Sequence, residues 1–365
     1  MISSPRKVRV MVVDDSAVAR SIITTGLAAD PRIEVVGYAI NAMDAKRKID
    51  TLKPDVMTLD VEMPGINGID FLKQLIPTNP LPVILVSSLN LRVFDALDAG
   101  AVDFVRKPDS SQSKEAFLRA LAQKIHVASR AKVRQTAGSS PISATPTPTV
   151  SAPVAPSVVT TRSIATPKRI LTSASNDTII GLGASTGGTE ATLEVLKRLP
   201  ADIPGMLIVQ HMPVGFTKMY AERLNRLCAM EVREAVSGDE IHPGLALIAP
   251  ADYQMKVVRM GNRYTVTCTP GPKVSGHRPS VDMLFSSMAS TVKCHMVGII
   301  MTGMGRDGAS GLLEMRKAGA YTIGQDKESS VVYGMPAVAQ DIGAVTVQAS
   351  CENIAHVLMT HLKTV

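Results

Sequence analysis

IIGLGASTGGTEA, residues 179–191, reads as a short apolar strand running through a glycine-rich turn into the start of a helix. A strand–turn–helix unit of this kind places its strand in a parallel sheet, and its recurrence along a chain marks a doubly wound α/β domain. It does recur. GMLIVQH (205–211), ALIAP (246–250), YTVTCT (264–269), MVGIIMTG (296–303) and YTIGQ (321–325) are further strand-like runs, with antiparallel additions expected near 255–270.

The same alternation stands nearer the N-terminus. VRVMVV (8–13), IEVVGY (33–38), DVMTLD (55–60), PVILVSS (82–88) and AVDFVR (101–106) alternate with helix-compatible stretches 16–29, 41–51, 67–76, 91–98 and 114–130. Five strands and five helices in strict order predict a flavodoxin-like parallel sheet. Between the two patterns, from Gln135 to Ser175, the composition turns to Ser, Thr, Ala, Pro and Val. Repeated prolines remove backbone donors and oppose both helix and central strand, so this segment reads as a semi-extended linker. The expected organisation is therefore 1–130, a linker 131–176, and 177–365.

Bulk properties exclude several classes. At 365 residues, 45% hydrophobic and 19% charged, the chain has a globular balance. No apolar run approaches the ~18–20 residues that span a bilayer. The polar, basic start and the Asp14-Asp15 pair behind the first apolar run do not suit a signal peptide, so a cytoplasmic location is expected. Cys228, Cys268, Cys294 and Cys351 lie far apart, against a zinc site or a disulfide framework. Six of the seven net positive charges (Arg130, Lys132, Arg134, Arg162, Lys168, Arg169) fall within 130–175, where there is no acid. With no tryptophan in the chain either, nucleic acid is not an expected partner.

Ligands of open α/β sheets gather at the carboxyl ends of the strands. In the first unit those ends carry Asp14-Asp15, Asp60, Ser87 and Lys107. Asp14 or Asp15 alone reads as a helix cap. Together these residues read as chemistry, because clustered carboxylates repel unless a cation joins them, and hard oxygen ligands favour Mg²⁺. A carboxylate can also attack phosphorus to form an acyl phosphate, with a lysine and a hydroxyl answering the transferred charge.

Residues 7–130 resemble the receiver domain of bacterial two-component response regulators, through VDDS (13–16), TLDVEMPGINGIDFL (58–72), VSS (86–88) and KP (107–108). The resemblance implies Asp60 as phosphoacceptor and Mg²⁺ held by Asp14, Asp15, Asp60 and the backbone carbonyl near Glu62. It also implies Ser87, Lys107 and the aromatic Phe104 as switch residues.

In the second unit three motifs compete for the glycine-rich turn. As a dinucleotide fingerprint it has Thr186 where the third glycine belongs, and Gln210-His211 stands where an acid is expected. As a phosphate-binding loop it lacks the lysine, position 189 being threonine. As a nucleophile elbow, Gly183-Ala184-Ser185-Thr186-Gly187 fits G-x-S-x-G between strand and helix. A serine nucleophile needs a base, and the base an orienting acid. His211 ends the next strand, and the loop TGMGRDG (302–308) carries Asp307. Asp307 also reads as a cap for a helix at 309–318. The glycines of that loop suit a backbone oxyanion hole near Met304–Gly305. His277-Arg278 and SVDMLF read equally as part of a substrate cleft or as a loop opening a core helix. His242, His295, His356 and His361 have no catalytic context in the sequence.

The order Ser…His…Asp differs from that of ordinary α/β-hydrolases. Residues 177–364 instead resemble the catalytic domain of the chemotaxis-specific protein-glutamate methylesterases, the CheB family. The matching stretches are GASTGG, IVQHMP, GHRPSVDMLF (276–285), TGMGRDG and QDKESSVVYGMP (325–336). The resemblance implies Ser185 as nucleophile, His211 as base and acid, Asp307 as its orienter, and Thr186 and Met304 lining the site, with no cofactor for the ester chemistry. It further implies hydrolysis of glutamate γ-methyl esters on methyl-accepting chemotaxis receptors, deamidation of receptor glutamines, and a chemotaxis histidine kinase as phosphodonor. Direct membrane insertion is not expected. The Pro/Thr linker is longer than in compact members. Two other readings are an idle adaptor that sequesters receptors and, last, a DNA-binding regulator.

Overall fold

The computed structural model describes residues 6–87, 92–108, 113–133 and 177–365, so the expected linker lies outside the described residues apart from its first three. The first sheet contains β1 (Val8–Val13), β2 (Ile33–Ala39), β3 (Val56–Asp60), β4 (Val83–Ser87) and β5 (Asp103–Arg106). Its order is β2-β1-β3-β4-β5 and every pairing is parallel. β3 and β4 are buried at all five positions, which is why they read as continuous apolar runs; helices cover both faces of the sheet. The order reverses between β1 and β3, and Asp14, Asp15 and Asp60 sit at that crevice. Ser16, not either aspartate, caps helix α1 (Ala17–Ala28), accepting from the Ala19 amide.

The second sheet has seven strands, all parallel: β6 (Ile179–Ala184), β7 (Met206–Gln210), β8 (Glu231–Glu234), β9 (Leu245–Ile248), β12 (Met296–Ile300), β13 (Tyr321–Gln325) and β14 (Val347–Ala349). The order is β14-β13-β12-β6-β7-β9-β8. YTVTCT does not join this sheet. It forms β11 (Arg263–Thr269) of an antiparallel hairpin with β10 (Gln254–Met260). The edge strands β8 and β14 were not legible, one being EVRE and the other only three residues long. MVGIIMTG leaves the sheet at Ile300, because the chain must then turn so that Gly303 lies against Ser185. A Cβ on Gly303 would stand 2.7 Å from the Ser185 Cβ, so only glycine fits.

The two units share one continuous apolar cluster. Its bridge is aromatic. Phe94 of α4 (Arg92–Asp98) stacks on Tyr220 of α7 (Phe216–Leu227) at 5.7 Å, and Phe104 of β5 meets Phe216 at 4.5 Å. Aromatic pairs contribute about 0.5–1.5 kcal/mol each beyond area burial, more than an exposed ion pair at ~0–1 kcal/mol. Among the described residues no helix is long and apolar enough to cross a membrane.

Candidate active site and phosphoacceptor site

At the crevice of the first sheet, Asp14 and Asp60 are buried and Asp15 is exposed, with one carboxylate oxygen of each within 4.8 Å of the others. The Lys107 ammonium reaches Asp60 Oδ2 at 2.6 Å and Asp14 Oδ2 at 2.9 Å. Burial pushes the Asp60 carboxyl above its ordinary range, and the lysine only partly offsets this. For Lys107 burial works the other way, but the two carboxylates outweigh it and its pKa rises. One lysine against three carboxylates leaves the pocket net negative. The Ser87 hydroxyl is buried without a hydrogen bond among the described residues, while Asp14 Oδ2 has the Lys107 ammonium as its partner. An all-oxygen set of three carboxylates against one lysine fits a hard divalent cation, and the unpartnered Ser87 hydroxyl fits an incoming phosphoryl oxygen. The Glu62 amide donates to Asp60 Oδ1 at 3.2 Å.

The second site straddles the reversal between β12 and β6. Ser185 follows β6, with its amide bonded to the Thr302 carbonyl at 3.0 Å. Its own carbonyl accepts from Gly188 N at 2.7 Å and Gln210 Nε2 at 2.8 Å. The turn closes at Gly187, whose φ of +74 is a left-handed conformation that glycine adopts at no steric cost. His211 follows β7, its amide on the Ala184 carbonyl at 3.2 Å. Its Nε2 lies 2.8 Å from Asp307 Oδ2, and its Nδ1 is buried with no partner among the described residues. No hydrogen bond joins the Ser185 hydroxyl to His211, an arrangement common where catalytic contacts tighten only around substrate.

Asp307 is 1% exposed. It does not cap the helix that follows, α9 (Ala309–Lys317), whose N-cap is Gly308 without a side-chain bond. It serves the start of α8 (Val281–Thr291) beside the N-cap Ser280, accepting from Val281 N at 2.8 Å and Asp282 N at 3.1 Å, and from Ser280 Oγ at 2.7 Å. Burial alone would raise this carboxyl, but His211, Ser280 and the Val281 amide outweigh it and hold it below the usual range. A permanently ionised acid against Nε2 leaves Nδ1 as the proton acceptor of His211.

The structure therefore brings Ser185, His211 and Asp307 together, and it adds residues that sequence reasoning had not assigned. His277 lies flat on His211, with ring centroids 3.8 Å apart and planes within 4°. Gln254 receives the Ser280 amide and donates to the His277 carbonyl. GHRPS carried a histidine, but nothing local to it says which ring it meets. Thr186 is buried, and its hydroxyl donates to Asp103 of β5 at 2.6 Å. Met304 is 38% exposed, at a junction cavity of about 380 Å³ lined also by Arg130, Lys132, Lys327 and Tyr333. Phe104 is buried against Phe216. The four cysteines are free, and burial pushes Cys228 and Cys268 up to about 11 and about 12. His295 and His361 face each other across 3.1 Å, His295 at the amino end of β12, opposite the end that leads to Asp307.

Fold and site together define a response-regulator receiver joined to an α/β domain with a Ser-His-Asp arrangement. Family models agree: residues 10–118 match the response regulator receiver domain and residues 180–358 match CheB methylesterase. The chain is 48% identical over 357 residues to a protein-glutamate methylesterase/protein-glutamine glutaminase of Syntrophotalea carbinolica, covering 96% of each. It is 47% identical to a similarly named protein of Syntrophomonas wolfei, covering 97% of each. Among solved structures, the CheB methylesterase catalytic domain of Thermotoga maritima is 33% identical, covers 50% of this chain and 97% of that one, and has a TM-score of 0.49. The chain belongs to the CheB family of protein-glutamate methylesterases/protein-glutamine glutaminases with an N-terminal receiver.

Proposed function

We propose that this protein hydrolyses glutamate γ-methyl esters, and deamidates glutamines, on chemoreceptors during chemotaxis adaptation, under control of its receiver. The carrying observation is the His211–Asp307 contact at 2.8 Å beside Ser185 at the sheet reversal. Ser185 Oγ attacks the ester carbonyl and passes its proton to His211 Nδ1, while Asp307 accepts from Nε2–H and stabilises the imidazolium. Backbone amides near Met304–Gly305 face the developing oxyanion. The tetrahedral adduct expels methoxide, which takes the proton from His211 and departs as methanol. Water, deprotonated by His211, then attacks the acyl-serine and restores Ser185 with a free glutamate. With glutamine the leaving group departs as ammonia.

In the receiver, Asp60 takes a phosphoryl group from the phosphohistidine of a chemotaxis histidine kinase. Asp14, Asp15, Asp60 and the Glu62 carbonyl would hold Mg²⁺, which when bound supplies charge neutralisation at the transferred oxygens. Lys107 and Ser87 receive those oxygens, and Phe104 transmits the change to the contact with Phe216. The receiver, docked by Thr186–Asp103 and the aromatic bridge, restricts the site until Asp60 is phosphorylated. We assign 1–130 to the receiver, 131–176 to a linker and 177–365 to the esterase, acting in the cytoplasm, where four free thiols are stable.

The test is methanol release from methylated receptor membranes, with and without a small-molecule phosphodonor and Mg²⁺. Release that rises with phosphodonor supports the whole reading. Release indifferent to phosphodonor removes receiver control, and no release from folded protein removes the esterase.

A further inference from the structure

The loop from Val274 to Asp282 meets the catalytic base from two sides. Its last residues, Ser280, Val281 and Asp282, all donate to Asp307, which holds one edge of the His211 ring. Its middle lays the His277 ring on the face of that same imidazole. The loop is braced to do so. Val274 and His277 exchange backbone hydrogen bonds at 3.0 and 2.8 Å. Gln254 ties the His277 carbonyl to the Ser280 amide, and Arg278 is anchored on Asp252 and the Gly271 carbonyl. A ring held this way costs little further ordering when the base changes charge.

We infer that His277 is a positioning residue for the esterase chemistry, a flat neutral platform that keeps His211 in the plane where Nε2 meets Asp307 and Nδ1 is free, and that favours its imidazolium. The inference rests on the reading of Ser185, His211 and Asp307 given above. A cation formed in the ring of His211 faces the π cloud of a neutral neighbour, which is attractive. A charged neighbour would repel it. The groups around His277 are His211 on its face, Asp307 beyond, Lys124 from helix α5 (Lys114–Ala128) and Lys273 from its own loop. Burial first, then His211, pushes the His277 pKa down to about 4, so it is uncharged at neutral pH and does not compete for the serine proton. A second role follows from geometry: a ring 3.8 Å above His211 excludes water from that face, which preserves the strength of the Asp307 contact.

The experiment compares the full-length chain with His277→Phe and His277→Leu, all checked for folding by far-UV circular dichroism. The readouts are methanol release from methylated receptor membranes and the pH dependence of Ser185 labelling by a fluorophosphonate probe. His277→Leu is expected to lower kcat at least tenfold with little change in KM, and to move the acid limb of labelling to lower pH. His277→Phe, which keeps a flat ring, is expected to stay within about threefold of wild type. A folded Leu variant with wild-type kcat and an unmoved acid limb overturns the inference. So does a folded Phe variant as impaired as Leu, because the ring nitrogens and not its face would then matter. These outcomes differ from failure of the underlying reading, in which the wild-type chain itself neither labels nor releases methanol.

Discussion

The hydroxyl of Thr186, the residue after the candidate nucleophile, donates to the carboxylate of Asp103 in the receiver at 2.6 Å, and both residues are buried. Asp103 is itself held by Lys124 at 2.7 Å and is followed by Phe104 on the same strand. One receiver strand therefore touches the candidate active site with one residue and, with the next, carries the aromatic expected to switch. Rearrangement of β5 on phosphorylation would reach Thr186 without an intermediary.

Replacing Asp103 with Ala should raise basal methanol release in the absence of phosphodonor. A buried hydrogen bond to a charged group contributes about 1.5–3 kcal/mol, so the docking equilibrium constant should fall roughly tenfold or more and the open fraction rise accordingly. Fully phosphodonor-stimulated release should stay near the wild-type level. Unchanged basal release in the Ala variant would mean that this contact does not restrain the site.

Asp307 has two tasks, and two substitutions separate them. Asp307→Asn keeps one acceptor oxygen at the start of α8, enough for Asp282 N and Ser280 Oγ, but loses the charge facing His211, so kcat should drop roughly a thousand- to ten-thousand-fold, with less loss of stability than Asp307→Ala. Asp307→Ala should lose that activity and, in addition, about 1–2 kcal/mol of stability from the missing acceptors at the start of α8. Methanol release together with thermal unfolding of both variants checks the division. Equal melting temperatures for Asn and Ala would deny the role at the start of α8.

Docking should depend on pH through the cluster of Asp98, Glu190 and Arg223. Arg223 of α7, nearly buried, reaches Asp98 of α4 at 2.7 Å and Glu190 of α6 (Gly188–Leu196) at 2.9 Å. Burial and the Asp98 carboxyl push Glu190 up to about 8, while Arg223 opposes the shift. Tyr220, also raised by burial, stays neutral beside them, and Lys197 faces Asp98. Undocking returns Glu190 toward its ordinary 4.5, so docking takes up a proton. The contribution is whole below about pH 4.5, fades as pH rises to about 8, and is flat above. The ratio of basal to phosphodonor-stimulated release should climb across that window in wild type and be level in Glu190→Gln. A climb of equal size in the Gln variant would assign it to another group.

Lys107 is paired with two buried carboxylates, so Lys107→Ala should destabilise the receiver by about 3–5 kcal/mol, the usual penalty for removing one partner of a buried pair. Added Mg²⁺ should raise the melting temperature of this variant more than that of wild type, because the cation takes over part of the lost charge. Differential scanning fluorimetry with and without Mg²⁺ is the measurement. No Mg²⁺ effect in either chain would argue against the cation site.

Asp60→Asn should abolish phosphoryl incorporation and leave methanol release insensitive to phosphodonor, while basal release persists. Persistent stimulation in this variant would relocate the acceptor.

Both parallel sheets, and the strand ends bearing Asp14, Asp15, Asp60, Ser185 and His211, were legible in the sequence. Apolar periodicity and glycine turns are local signals, and a strand buried on both faces leaves little choice of register. The resemblance named the acid, but its second task was not local. Asp307 precedes one helix and serves the start of another, because the packing of α8 on α9 turns the Val281 and Asp282 amides toward it. The short polar strand β8 and the three-residue β14 carry too few residues for periodicity to register, and neighbouring strands recruit them by backbone pairing. His277 on His211 and Asp103 on Thr186 join residues far apart in the chain, the latter pair 83 positions distant. Local pattern decides which elements form and what chemistry their ends carry. Which rings stack, and which carboxylate meets which hydroxyl, is decided by close packing between elements, and only the tertiary structure contains that.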